Sequence, residues 1–151
     1  MALLFLQLVV GGYLMGLIWT IQWVHYPLLV RVPTAGFTTY LAAHQRRIVP
    51  LVLLPMLIDL ATGAALPFAP RPPAPVWLPW AVAVLAGVPW LSTAFVQVPL
   101  HGRLAVAHDA LAQQALTRRL VATNWVRTWA WTAKFLLVSA WLWLVAGSAP
   151  A

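Results

Sequence analysis

Four apolar runs, each long enough to cross a bilayer as a helix, take up most of this sequence: residues 3–29, 48–67, 76–100 and 125–146. A helix rises about 1.5 Å per residue, so about 20 residues span a hydrocarbon core about 30 Å thick. Lipid cannot satisfy backbone N–H and C=O groups, so such runs must satisfy them internally, as helices. The expected fold is all-α: a polytopic membrane protein whose residues 1–151 form one domain, a four-transmembrane-helix bundle. Composition agrees. The chain is 63% hydrophobic and 7% charged, whereas about a quarter of a soluble domain is charged.

The first run has no Lys or Arg before Arg31 and is too long for the core of a signal peptide, so it reads as a span. Within it, Gly11, Gly12 and Gly16 are small residues at spacings that permit close helix packing. After Pro33, the positions Phe37, Tyr40, Leu41, His44 and Ile48 repeat every three or four residues, predicting a short interfacial helix in the first connection. Leu100, Leu104, Leu111 and Ala115 predict a second one in the third connection. Residues 68–75 are a proline-rich turn. Trp77, Trp80, Trp141 and Trp143 sit where interfacial anchors are expected.

The formal charge of +7 comes from eight arginines and one lysine set against Asp59 and Asp109. Those cations lie in connections between apolar runs, which suits anionic headgroups and the lipid bilayer as partner rather than nucleic acid. No phosphate-binding or dinucleotide motif is present. Arg31, Arg46 and Arg47 occupy the first connection and Arg103, Arg118 and Arg119 the third, whereas the second has only Arg71. The positive-inside rule then puts both termini outside. The preference for Arg, Ala and Pro over Lys suggests a GC-rich bacterial source, hence the bacterial cytoplasmic (inner) membrane. With no cysteine, disulfides and thiolate metal sites are excluded.

Polar residues concentrate at the arginine-bearing end. His25, His44, His101 and His108 all fall there and are a candidate metal set, since imidazole suits several transition metals. No HxH or HExxH spacing accompanies them, so rings resting at the interface with their nitrogens wet is the competing reading. No cofactor is required by the sequence. A bis-histidine haem would need two histidines on facing helices, and only His25 lies clearly within a span. Asn124, Arg127, Trp131 and Lys134 recur along one face of the fourth run. An arginine just inside the membrane beside Asn can clamp an oxyanion, or it can snorkel to headgroups. Gln22, Thr93 and Gln97 are expected to face the same interior, with Arg47 near its rim and Trp19, Trp90 and Trp131 as walls for a flat ligand. Asp59 lies mid-span at a depth similar to Lys134, so a buried Asp59–Lys134 ion pair is expected, a proton relay being the functional alternative.

The stretch V-P-L-H-G-R-L (98–104), the opening N-W-V-R-T (124–128) and H-Q-R-R-I (44–48) before a proline-containing span resemble the anthrone-oxygenase-like family of small four-helix membrane proteins, a domain family largely of unknown function. Where that family commonly has Asn after V-P-L, this chain has His101. The resemblance implies oxidation of a polycyclic phenolic substrate by O₂ without a recognised organic cofactor, with His101, Asn124 and Arg127 at the motif positions. His44 and His25 join them from the spatial reading alone, His44 as a second candidate base. The other class of function is non-catalytic: a structural, partner or ligand-carrying membrane protein. A cavity at the arginine-bearing end favours the enzyme, and a filled bundle favours the alternative.

Overall fold

The computed structural model describes residues 1–147, and among these there is no strand. The first span comprises α1 (Ala2–Thr20), a π-helical turn (Ile21–His25) and α2 (Tyr26–Leu29). α3 (Phe37–Ala65) is the second. The third comprises α4 (Trp77–Ser92), another π-helical turn (Thr93–Gln97) and α5 (Val98–Ala105), and α6 (Ala110–Gly147) is the fourth. All four are long and apolar enough to cross a membrane. The chain is an integral membrane protein built as an all-α four-helix bundle.

The amphipathic segments of the first and third connections are not separate surface helices. The first forms the opening turns of α3 and runs unbroken into the span; the second is divided by a break at residues 106–109, with Leu100 and Leu104 ending the third span in α5 and Leu111 and Ala115 in the opening turns of α6. Between Ala110 and Ala146 no Gly or Pro interrupts the helix, and the Asp109 carboxylate caps its start by accepting from the Ala112 N–H at 2.8 Å. α3 does contain Pro50 and Pro55. Proline removes the N–H that would bond four residues back, leaving Leu51 C=O without its helical donor at Pro55. The Tyr13 hydroxyl donates to that carbonyl at 3.1 Å. Replacing Tyr13 with Phe is expected to lower stability by about 1 kcal/mol, read from thermal unfolding by circular dichroism in detergent.

Around the bundle, α1 packs on α3 and α6, and α4 packs on α3 and α6, while among the described residues the diagonal pairs meet only through long side chains reaching across the centre. Leu4, Leu66, Leu78, Val82, Val138 and Trp141 fill the end away from the arginines. A larger apolar cluster including Leu14, Ile18, Phe37, Leu41, Leu104 and Leu120 fills the other. Between them lies a buried polar layer. Lys134 pairs with the Asp59 carboxylate and donates to Gln7 Oε1 at 2.9 Å. Gln7 Nε2 in turn donates to Asp59 C=O at 2.9 Å and Thr62 Oγ1 at 2.6 Å. Gly63 makes room for this layer: a Cβ there would stand 3.0 Å from Ala86 Cβ and 3.5 Å from Gln7 Nε2. Of the other glycines, Gly12 packs under the Phe135 ring, whereas Gly16 meets nothing.

The two π turns reveal an internal repeat. Adding 72 to 21 and 25, the bounds of the first, gives 93 and 97, the bounds of the second. The same shift superimposes Val24 on Val96, Pro27 on Pro99, Arg31 on Arg103, Arg46-Arg47 on Arg118-Arg119 and Val49 on Val121. The chain is thus two helix hairpins in tandem. The four-sided packing is what an approximate twofold axis along the bundle gives, with the α1–α6 seam equivalent to the α4–α3 seam.

Candidate functional site

A cavity of about 400 Å³ opens at the arginine-bearing end, between α3 and the second π turn with α5. α3 contributes His44, Gln45, Ile48, Val49 and Val52; the third span contributes Thr93, Gln97, Val98, His101 and Gly102. Ile21 and Tyr26 close one side, and Arg127 of α6 reaches in from behind. The π turns matter locally. Each inserts an extra residue ahead of Pro27 or Pro99, which re-aims the last residue of the turn. Those last residues, His25 and Gln97, are repeat counterparts, and each holds a buried polar atom without a partner: His25 Nε2 and Gln97 Oε1.

Arg127 is buried, with 6% of its surface exposed. Its Nη1 donates to Asn124 Oδ1 at 3.3 Å, its guanidinium lies 5.2 Å from the Trp131 ring centroid, and its Nε has no partner. Asn124 is itself fixed: its Nδ2 donates to Gln22 Oε1 at 2.7 Å, and Gln22 Nε2 donates to Val121 C=O at 3.2 Å. Every link of that chain is neutral. The sequence has two acids; one is held by Lys134 and the other caps α6. Arg127 therefore carries its charge inside the bundle with no carboxylate opposite it among the described residues. An uncompensated buried cation is costly, and a negative group in the cavity removes that cost.

The imidazoles stand across the cavity. His44 lines it and stacks on His25, with ring centroids 4.0 Å apart and planes 18° apart. His101 lines it too, and His101 Nδ1 is buried without a partner. Gln97 Nε2 donates to Thr123 Oγ1 at 3.2 Å. These groups can accept a proton or a hydrogen bond from a ligand whose negative end meets Arg127.

Of the residues singled out from the sequence, His44, His101, Gln97, Thr93 and Arg127 share the cavity, with Asn124, Gln22 and His25 directly behind them. Others do not. Arg47 is exposed on α3 and donates to Ala43 C=O at 3.3 Å. His108 is exposed in the third connection. Trp131 supports Arg127 rather than lining the cavity. Trp19 joins Trp125 and Trp129 edge-on and bonds Thr132 Oγ1 at 3.0 Å, while Trp90 Nε1 donates to Met56 C=O at 3.2 Å, so neither is a wall for a ligand. No group of three or more His, Asp or Glu side chains is placed to hold a metal ion among the described residues. Tyr26 and Gly102 escaped the sequence reading. Tyr26 was legible as the residue one helical turn after Gln22, on the same inward face.

No family model matches the chain, and no curated protein and no solved structure matches it either.

Proposed function

We propose that this chain is a membrane enzyme of oxygenase type, acting on a hydrophobic, enolisable phenolic compound. The observation that carries this reading is Arg127: a buried cation with no acidic partner, presented to an apolar cavity that two imidazoles also face. The V-P-L-H-G-R-L and N-W-V-R-T segments, which resemble the anthrone-oxygenase-like family, supply the reaction class. His101, or His44 beside it, takes the proton from an acidified C–H, and Arg127 with Tyr26 stabilises the oxyanion of the resulting enolate. The carbanion's electron pair then forms a C–O bond to O₂, the proton taken by the imidazole passes to the peroxide, and the hydroperoxide loses water to leave a carbonyl. The reading has the arginine-bearing end at the cytoplasmic face of a bacterial inner membrane, with both termini outside, following the arginines of the first and third connections.

The test is oxygen uptake and quinone absorbance with anthrone as substrate and purified protein in detergent. Wild type is expected to exceed the protein-free rate, and His101→Ala to lose about 10²-fold or more. Equal rates for wild type, His101→Ala and His44→Ala, all folded by circular dichroism, would falsify the proposal.

A further inference from the structure

The internal repeat provides a comparison within one molecule. The cavity lies on the α4–α3 seam, and the twofold relation gives that seam an equivalent where α1 and α2 meet α6. At the depth of the cavity the equivalent seam is shut position by position, its own opening of about 400 Å³ lying further out, between residues 30–34 and the first turns of α6. Val98, 59% exposed, corresponds to Tyr26, 4% exposed; Val49, 49% exposed, corresponds to the partly buried Val121. Ile48, Gln45 and Val52 correspond to Leu120, Thr117 and Asn124, all fully buried. His101 corresponds to the buried Leu29, and Gly102 to Val30. Gln22 bolts the shut seam through Asn124 and Val121 C=O. One architecture thus supports both states, so the opening at the cavity is set by the side chains there and not by the helix geometry.

The open seam faces lipid. Val49 and Val52 lie on α3 about 3–8 Å along the helix beyond Arg47, and Val98 lies about 8 Å before Arg103, so the mouth runs from the arginine rim, at Gly102, into the apolar zone below it. Gly102 stands at the mouth, and a Cβ built on it meets no atom within 4 Å. We infer that the α3–α5 seam, framed by Val49, Val98 and Gly102, is a lateral portal through which a lipophilic phenol dissolved in the adjoining leaflet reaches Arg127. This rests on the site reading above and adds the source and the route of the substrate. The ligand is a molecule that partitions into lipid, with its acidic hydroxyl leading and its apolar body trailing between Val49 and Val98.

The test uses the whole protein in lipid vesicles with 6-bromo-2-naphthol, a lipophilic phenol that quenches tryptophan emission at short range, mixed in a stopped flow. Arg127→Gln gives the quenching that comes from lipid alone. Wild type is expected to show an additional phase whose rate follows the mole fraction of probe in the lipid when the amount of lipid is varied at fixed total probe. Gly102→Phe and Val98→Phe, which place bulk where there is open space, are expected to slow that phase about tenfold and to slow dissociation with it, because a portal lies on the route in both directions. If both variants bind at the wild-type rate, or the rate follows the aqueous concentration instead, the portal is wrong and the site stands. If wild type shows no phase beyond Arg127→Gln, the site reading itself fails and the portal with it.

Discussion

Lys134→Met alone is expected to destabilise the bundle by about 3–5 kcal/mol, because it strands a buried carboxylate. Asp59 is 1% exposed and its carboxylate answers to Lys134; no other cation bonds it. Asp59→Leu should cost a similar amount for the opposite reason, leaving Lys134 with only Gln7 Oε1. The double variant Asp59→Leu/Lys134→Met should recover most of the loss. It replaces the pair by apolar groups of comparable length and leaves about 1 kcal/mol unrecovered, the hydrogen bond that Gln7 Oε1 no longer receives. Thermal unfolding of all four proteins in one detergent gives the cycle. Single variants that add without recovery would show that the pair is not coupled, and the polar layer would then have to be explained by Gln7 and Thr62 alone.

The same pair shows what a sequence of this kind discloses. In a chain with two acids, a mid-span aspartate at matching depth to a lysine leaves few arrangements that avoid a stranded charge, so depth alone points to the partner. Span number and helical class follow from the apolar runs for a similar reason, since lipid admits no other backbone. Helix boundaries follow less well. The first turns of α3 carry an amphipathic pattern that looks like a surface helix, but Pro50 does not stop propagation into the span, and the pattern of the third connection is divided between α5 and α6 by the break at residues 106–109. The candidate site was partly legible as a face: Asn124 and Arg127 lie on one stripe with Trp131 and Lys134. What periodicity could not say is which member faces the cavity. Trp131 ends up under Arg127, and Arg47 points away from it, because each helix's rotation is set by packing against two neighbours.

The repeat was present in the sequence too, but its identities are scattered among residues that any membrane helix uses. The π turns fix the register, because a one-residue insertion before a proline is rare enough to mark equivalent positions. Once aligned, the departures carry more information than the matches. Arg127 falls opposite Pro55, Asn124 opposite Val52 and His101 opposite Leu29. One hairpin supplies Arg127, Asn124 and His101, and the corresponding positions of the other are apolar. A site made of unlike halves on a near-symmetric frame has a charged end and a greasy end, which is the polarity a phenolate with an apolar body requires.

That asymmetry leads to a prediction in which stability and function move in opposite directions. Arg127→Gln is expected to raise the unfolding temperature of the ligand-free protein, by an amount corresponding to about 1–3 kcal/mol, because it removes a buried charge that no carboxylate offsets. Glutamine keeps a donor for Asn124 Oδ1, so the chain through Gln22 to Val121 survives. The same substitution should remove the stabilisation that 6-bromo-2-naphthol gives wild type, which at a hundred times Kd is about 2.7 kcal/mol. Arg127→Lys separates charge from shape: it keeps the cation but loses the planar fork, so it should retain part of the ligand-induced shift without the gain in ligand-free stability. Differential scanning fluorimetry with and without the phenol measures all three. A ligand-free Arg127→Gln protein less stable than wild type would mean that the guanidinium is held by the fold for structure, through Asn124 and the Trp131 ring, and the case for an anion in the cavity would lose its foundation. A more stable variant that no longer responds to the phenol would identify Arg127 as a charge the bundle retains, at a cost in stability, for its ligand.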